Sequence, residues 1–358
     1  MLKTILLFVI MLVAILTIHE FGHFVAAKAF GVYCYEFSIG MGPKLYERKG
    51  KETKFCIRTL PIGGYVAMAG DDDSNPDIEK PEIEIPKERT LPGIAPLKRI
   101  VVMAAGVIMN FVLAIVIVSI IFLSNGVTTE APKPVIDKIT EGMPAQNAGL
   151  EKGDLIKKAY LENGYSISPK SFEELSTFLS LYDGKGNITF EVQRDEENLI
   201  IRMKPVFDET EQRYLVGIQS TGYEVVEVNG SNFLKYTFDY IGEILKFTVM
   251  TLIGLFRGVG LNNVSGPIGI YQVTEEAVSY GISSYLSLIA LISINVAAFN
   301  LVPLPIFDGG RILLTIIEMV IGRPLNKKAE TAIMTASLAV ILMLVIYTTF
   351  NDIIKVLF

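Results

Sequence analysis

Three stretches of this chain carry no charged side chain and are each long enough to cross about 30 Å of hydrocarbon: Ile100 to Leu123, Tyr280 to Phe307 and Thr331 to Phe350. A fourth apolar run covers about residues 3–28 and is interrupted only near its end, by His19, Glu20 and His23. Water is absent from a bilayer core, so each run must satisfy its backbone internally, and helices are predicted for all four. Composition agrees, with 51% hydrophobic residues against 20% charged and a mean hydropathy of +0.44. The first run follows Lys3 in the manner of a secretory leader, but cleavage would discard the His/Glu cluster, so an uncleaved membrane helix is expected. A weaker stretch, Phe238 to Leu261, is broken by Asp239, Glu243, Lys246 and Arg257. It reads as an amphipathic helix at the membrane interface.

Basic residues set the orientation. Lys44, Arg48, Lys49, Lys51, Lys54, Arg58, Lys98 and Arg99 lie between the first two spans, and Arg311, Arg323, Lys327 and Lys328 between the last two. Both loops are therefore expected in the cytoplasm, and the soluble stretch between the second and third spans outside. The net charge of −6 and the lack of a basic stripe give no sign of a nucleic-acid partner. Two cysteines, Cys34 and Cys56, make no disulfide framework.

The chain's two histidines both fall in His19-Glu20-Phe21-Gly22-His23. On a helix, residues four apart lie on one face, so His19 and His23 can share a metal ion with Glu20 beside them as a proton acceptor. A titratable cluster inside an apolar helix is costly and by default functional. His23 lies about five residues before Lys28, or roughly 7–8 Å along the helix, which puts the site inside the membrane near its cytoplasmic face. A catalytic zinc takes a third protein ligand. Asp308 is the carboxylate best placed for it, at the cytoplasmic end of the third span, where Pro303, Pro305, Gly309 and Gly310 interrupt regular helix. The alternative is that Asp308 caps the helix that follows.

Between the first two spans, alternating β-prone sequence (35–39, 44–46, 53–57) around a Lys49-Gly50-Lys51 turn, closed by Gly63-Gly64-Tyr65-Val66-Ala67-Met68, predicts a small antiparallel sheet against the metal helix. Such an edge either pairs with an extended substrate or merely covers the helix. Asp71 to Pro96 reads as an irregular acidic loop. From about 130 to 220 the pattern is mixed α/β: strands at Pro134–Ile139, 187–194 and 198–205, and a helix near 171–181. With its Gly-x-Pro-Ala…Ala-Gly-Leu-x-x-Gly-Asp run, this segment resembles a circularly permuted PDZ domain, which would either bind peptide ends or fence access to the site.

Taken together, His-Glu-Phe-Gly-His in the first span, Asn300-x-x-Pro303-x-Pro305-x-x-Asp308-Gly309-Gly310 in the third, a Ser265-Gly266-Pro267-Ile268 element and the PDZ-like segment resemble the bacterial site-2 protease family of the regulator of sigma-E protease (RseP) type. The resemblance implies a zinc intramembrane endopeptidase with one Zn2+ per chain, ligands His19, His23 and Asp308, and catalytic Glu20. It also implies Asn300 near the reacting atoms, and substrate contacts at Asn295, Gly40, Gly42, Gly63 and Gly64. Expected substrates are single-pass membrane proteins, of anti-sigma-factor or remnant signal-peptide type, in the bacterial cytoplasmic membrane. Phe307 stands where the family usually has leucine. After Gly106, in Ala105-Gly106-Val107-Ile108-Met109-Asn110, the proline common in the family is missing.

The expected architecture is a polytopic α-helical membrane protein in four parts. These are 1–124, with two spans and a cytoplasmic β-hairpin; 125–225, an extracytoplasmic α+β PDZ domain; 226–280, an interfacial helix and connector; and 281–358, with two spans. Two rival functions remain, a non-catalytic PDZ-containing membrane receptor, which needs no Glu20, and a divalent-metal transporter, which would scatter its ligands along a path.

Overall fold

A computed structural model describes residues 2–71, 84–209, 213–256, 266–323 and 325–357. Part of the acidic loop (72–83) and of the break ahead of the third span (257–265) lies outside the described residues. Contacts divide the chain into two units, Met1–Ile121 with Ser265–Phe358, and Phe122–Val264.

Four helices are long and apolar enough to cross a membrane. The first is α1 (Leu2–Ala29). It is apolar nearly all round, yet Met11, Ile15, His19, His23 and Ala27 are buried at four-residue steps, so one stripe packs inward. The helix ends on Gly31, whose φ of 80° places it in the left-handed region. There the Gly31 N–H donates to the Lys28 carbonyl and the Val32 N–H to that of Ala27, at 3.1 and 2.9 Å. This is a Schellman closure, and its apolar partners Ala27 and Val32 are both buried.

Next come β1 (Cys34–Lys49) and β2 (Lys54–Met68), longer than the short strands expected from the sequence. Their hairpin folds back on itself: Phe37 stands opposite Val66 on one side and Phe55 on the other, while Arg48 also pairs with Phe55. Positive φ at Gly40 and Gly42 (82° each) and at Gly63 (80°) makes these reversals. At Gly40 a Cβ would also meet the Leu60 carbonyl oxygen at 2.5 Å. The second span is α2 (Pro96–Asn125).

In the second unit, β3 (Val127–Glu130) pairs with β12 (Glu224–Glu227), β4 (Lys138–Ile139) with β11 (Ile218–Gln219), and β9 (Val206–Asp208) with β10 (Arg213–Leu215). The main sheet has the order β6-β5-β7-β8, from β5 (Leu155–Leu161), β6 (Ser166–Ile167), β7 (Ile188–Arg194) and β8 (Glu197–Met203). The strand expected over Pro134–Ile139 is ladder only at its end, with Val135 making an isolated bridge to Leu155. Ile188, Phe190 and Val192 alternate into a core shared with Leu175 and Phe178 of α4 (Phe172–Ser180). Short α3 (Pro144–Asn147) opens on a proline, whose fixed φ suits a first helical position. Ser171 caps α4 by accepting from the Glu174 N–H. The amphipathic stretch forms α5 (Phe233–Phe256), which is not among the four candidate spans; Lys246 on it pairs with Glu174 on α4 at 2.6 Å.

The connector ahead of the third span contains a further helix, α6 (Pro267–Tyr280). Proline sits at its first position, and a cap comes from far away in sequence: Asp352 accepts from the Gly269 N–H at 2.8 Å. The charge-free run from Tyr280 is helical only as α7 (Ile282–Asn300). Residues 301–307 are irregular, and an amphipathic helix, α8 (Asp308–Ile321), precedes the last span in α9 (Lys327–Leu357). Met11 and Ile15 of α1 pack with Ala277, Tyr285 and Leu288, and the Tyr285 hydroxyl donates to the Leu7 carbonyl at 2.8 Å.

Candidate metal centre

His19 and His23 lie on the inward stripe of α1, and each is 6% exposed. Asp308 is the first residue of α8, one position inside the helix, with Phe307 at the cap and no side-chain capping bond. Its carboxylate therefore serves the histidines and not the helix end: Oδ2 stands 3.1 Å from His19 Nε2 and 3.4 Å from His23 Nε2. The two Nε2 atoms are 3.2 Å apart. Among the described residues, these three form the one cluster of this kind able to hold a metal ion.

The residues fit zinc. Ligands about 2.0–2.1 Å from a tetrahedral ion stand about 3.3–3.4 Å from one another, close to the sides of this triangle. His23 has its metal-binding tautomer set, because Nδ1 lies 2.8 Å from the Val102 carbonyl and must donate to it, which leaves Nε2 bare. Two imidazoles and a carboxylate are also a recurrent catalytic zinc set with one position left open.

Four glycines bring these groups together. A Cβ on Gly22 would lie 2.3 Å from the Ala105 carbonyl oxygen, so α1 and α2 meet backbone to backbone. One on Gly106 would lie 2.4 Å from His23 Nε2. After Asp308, Gly309 and Gly310 let the turn of Leu301 to Pro305 lie against α8, where a Cβ would fall 2.2 Å from the carbonyl oxygens of Leu301 and Leu304. Arg99 on α2 holds Glu318 on α8 at 2.8 Å, and Arg311 holds Asp71 at 2.5 Å.

Glu20 is half-buried beside the ligand pair. It accepts from the Val66 backbone N–H, and a Cβ on Gly64 would sit 3.5 Å from its Cγ. The hairpin strand thus abuts the carboxylate expected to move the proton. Gly40, Gly42 and Gly63 form the bends of that hairpin and are not in the ligand cluster. Asn300 is the last residue of α7 and half-buried, and Asn295 is a half-buried residue of the same helix; neither belongs to the ligand cluster. Both cysteines are free and buried, and burial pushes each thiol up to about 11.

Asn110 was not anticipated as a site residue. It is fully buried in α2 with its amide nitrogen 3.3 Å from His19 Nδ1. The signal was present, since an amide in the middle of a charge-free span has to find a polar partner.

The profile of Peptidase family M50 matches residues 7–344. A Clostridium acetobutylicum protein named as a zinc metalloprotease is 32% identical over 342 residues, 95% of this chain and 94% of the relative. The zinc metalloprotease RasP of Shouchella clausii is 30% identical over 429 residues, 99% of each chain. With His19, His23 and Asp308 close enough to hold one metal ion and four helices long and apolar enough to cross a membrane, the chain belongs to peptidase family M50 and is a multi-pass zinc metalloendopeptidase.

Proposed function

We propose that this enzyme cuts peptide bonds within the membrane segments of single-pass membrane proteins, including anti-sigma-factor or remnant signal-peptide substrates in regulated intramembrane proteolysis. One observation carries the reading: the ligand triangle of His19, His23 and Asp308 is built into a membrane-spanning helix, α1, and the start of α8, with Glu20 beside it. Bound there, zinc would supply a more acidic water and polarise the peptide carbonyl. Glu20 accepts the proton of the attacking water and returns it to the leaving amide nitrogen. Asn300 holds the substrate backbone or the developing oxyanion, with Asn295 as a secondary contact. A transmembrane substrate must leave its helix to be cut, and the exposed backbone then needs new partners. Residues 64–68 pair with 34–39 on one side, so the other edge, at Gly64, receives the substrate strand. Gly40, Gly42 and Gly63 keep the hairpin narrow enough to reach Glu20.

Basic residues around the hairpin favour a site near the cytoplasmic face of the bacterial plasma membrane. Residues 125–225, as a PDZ-like domain outside, would then bind or filter substrates already cut on that side. A transporter would need ligands at several depths, whereas these lie within one triangle.

The test compares the full-length protein with Glu20→Gln in detergent, with zinc content and cleavage of a single-pass substrate measured side by side. Both should hold about one zinc, and the variant should cut 10²–10⁴-fold more slowly, with the wild-type cut mapped by mass spectrometry inside the apolar segment. Zinc retention with equal rates would remove Glu20 from the mechanism, and a cut confined to soluble segments would remove the intramembrane reading.

A further inference from the structure

Val102, Gly106 and Asn110 recur every four residues along α2 and so share one face. Each does something different for the histidines opposite. The Val102 carbonyl takes the proton of His23 Nδ1 at 2.8 Å. Gly106 leaves the space the rings occupy, since its Cβ would lie 2.4 Å from His23 Nε2 and 2.8 Å from His19 Cε1. Asn110 places its amide 3.3 Å from His19 Nδ1. Its Oδ1 has no hydrogen-bond partner among the described residues. Its backbone carbonyl is pinned to α7 by the Ser293 hydroxyl at 2.9 Å, so the side chain is anchored at its root.

A neutral imidazole has one N–H. With the Asn110 amide nitrogen facing Nδ1, that nitrogen must be an acceptor, and the proton sits on Nε2, where it can donate to Asp308 Oδ2. That state cannot present Nε2 to a metal. A half-turn of the amide places the orphaned Oδ1 against Nδ1, which then carries the proton and frees Nε2. An asparagine can meet both tautomers, whereas an apolar residue can meet neither.

We propose that Asn110 is a positioning residue for the metal centre: its amide oxygen accepts from His19 Nδ1–H and holds His19 with Nε2 bare, as the Val102 carbonyl does for His23. The proposal rests on His19 being a metal ligand, so the experiment includes a control for that. Zinc affinity of the full-length protein in detergent is measured by competition with a chromophoric chelator for wild type, Asn110→Leu, Asn110→Ala, Asn110→Asp and His19→Ala. Loss of the acceptor in Leu and Ala should weaken binding about 10–100-fold, whereas Asp, which keeps an oxygen at the same reach, should stay within about threefold of wild type. The absorption bands of the Co2+-loaded Asp variant should match wild type. If Asn110→Ala binds zinc within twofold of wild type, or Asp is as weak as Leu, the proposal is overturned. Should Leu fail to give a monodisperse protein, Ala and Asp decide. If His19→Ala also keeps its zinc, the metal-ligand assignment itself has failed, which is distinguishable from failure of the Asn110 role alone.

Discussion

At the scale of single residues, glycines decide whether the ligands can meet. Gly106 lies where a Cβ would fall within 3 Å of both histidine rings, so a branched side chain must push them off the triangle. Gly106→Val is expected to purify with less than a tenth of the zinc of wild type, measured by metal analysis after gel filtration. Full occupancy would mean that α2 can retreat. Asp308 shows how much a sequence tells about one residue. Its place at the end of an apolar span, beside two prolines, made it the carboxylate best placed as third ligand, while capping the following helix was the alternative reading. Only the structure separates the two, by placing it one position inside α8 with its oxygen 3.1 Å from His19. Asn110 was overlooked because a lone amide has no spacing rule; its partner is far away in sequence.

At the scale of elements, the hairpin carries its own buried polar staple. Glu36 is wholly buried, and its carboxylate accepts from the Tyr65 hydroxyl and Arg58 Nη2, both at 2.7 Å. Arg58 Nη1 also donates to the Gly42 carbonyl at 2.7 Å. Burial pushes the Glu36 carboxyl up, but Tyr65 and Arg58 outweigh it and hold the group below the usual range. Its contribution is therefore complete above the unfolded value of about 4.3 and is lost as pH falls through the lower folded value. Arg58→Met leaves the buried carboxylate with only Lys44 Nζ, at 3.8 Å, as a cationic neighbour, at a cost of up to roughly 3–5 kcal/mol. Hydrogen exchange should show faster opening of amides in 34–68 with α1 unchanged, and unaltered protection would deny the staple its role. Alternation made the strands legible here. That the hairpin doubles back, with Phe37 between Val66 and Phe55, was not, because register is set by long-range packing and by where three positive-φ glycines fall.

On the scale of the whole molecule, the candidate metal ligands come from the first helix and from α8 near the other end of the chain, so a metal bound there would close a very long loop. Removing zinc should lower the unfolding midpoint followed by tyrosine fluorescence, with recovery on re-addition. At free zinc about 100 times its dissociation constant the stabilisation is about 2.7 kcal/mol. His19→Ala should show no such shift, and an equal shift in that variant would assign the effect to zinc bound elsewhere. By itself, the sequence determined the four apolar helices, the two histidines on one face of the first, the three candidate ligands that the structure brings together and the mixed α/β nature of the middle segment. Those follow from local rules: apolar length, helical spacing of two histidines, and alternation. The tertiary structure alone decided which face of α1 turns inward, since a helix apolar all round offers no stripe to read. It also decided that α6 is a helix where a connector was expected, capped by Asp352 from the last span, and that the helix after Phe307, α8, begins with Asp308 itself. And it brought the 102, 106 and 110 face of α2 against both histidines. Such choices depend on contacts between residues remote in sequence, whose free energy exists only once the helices have packed.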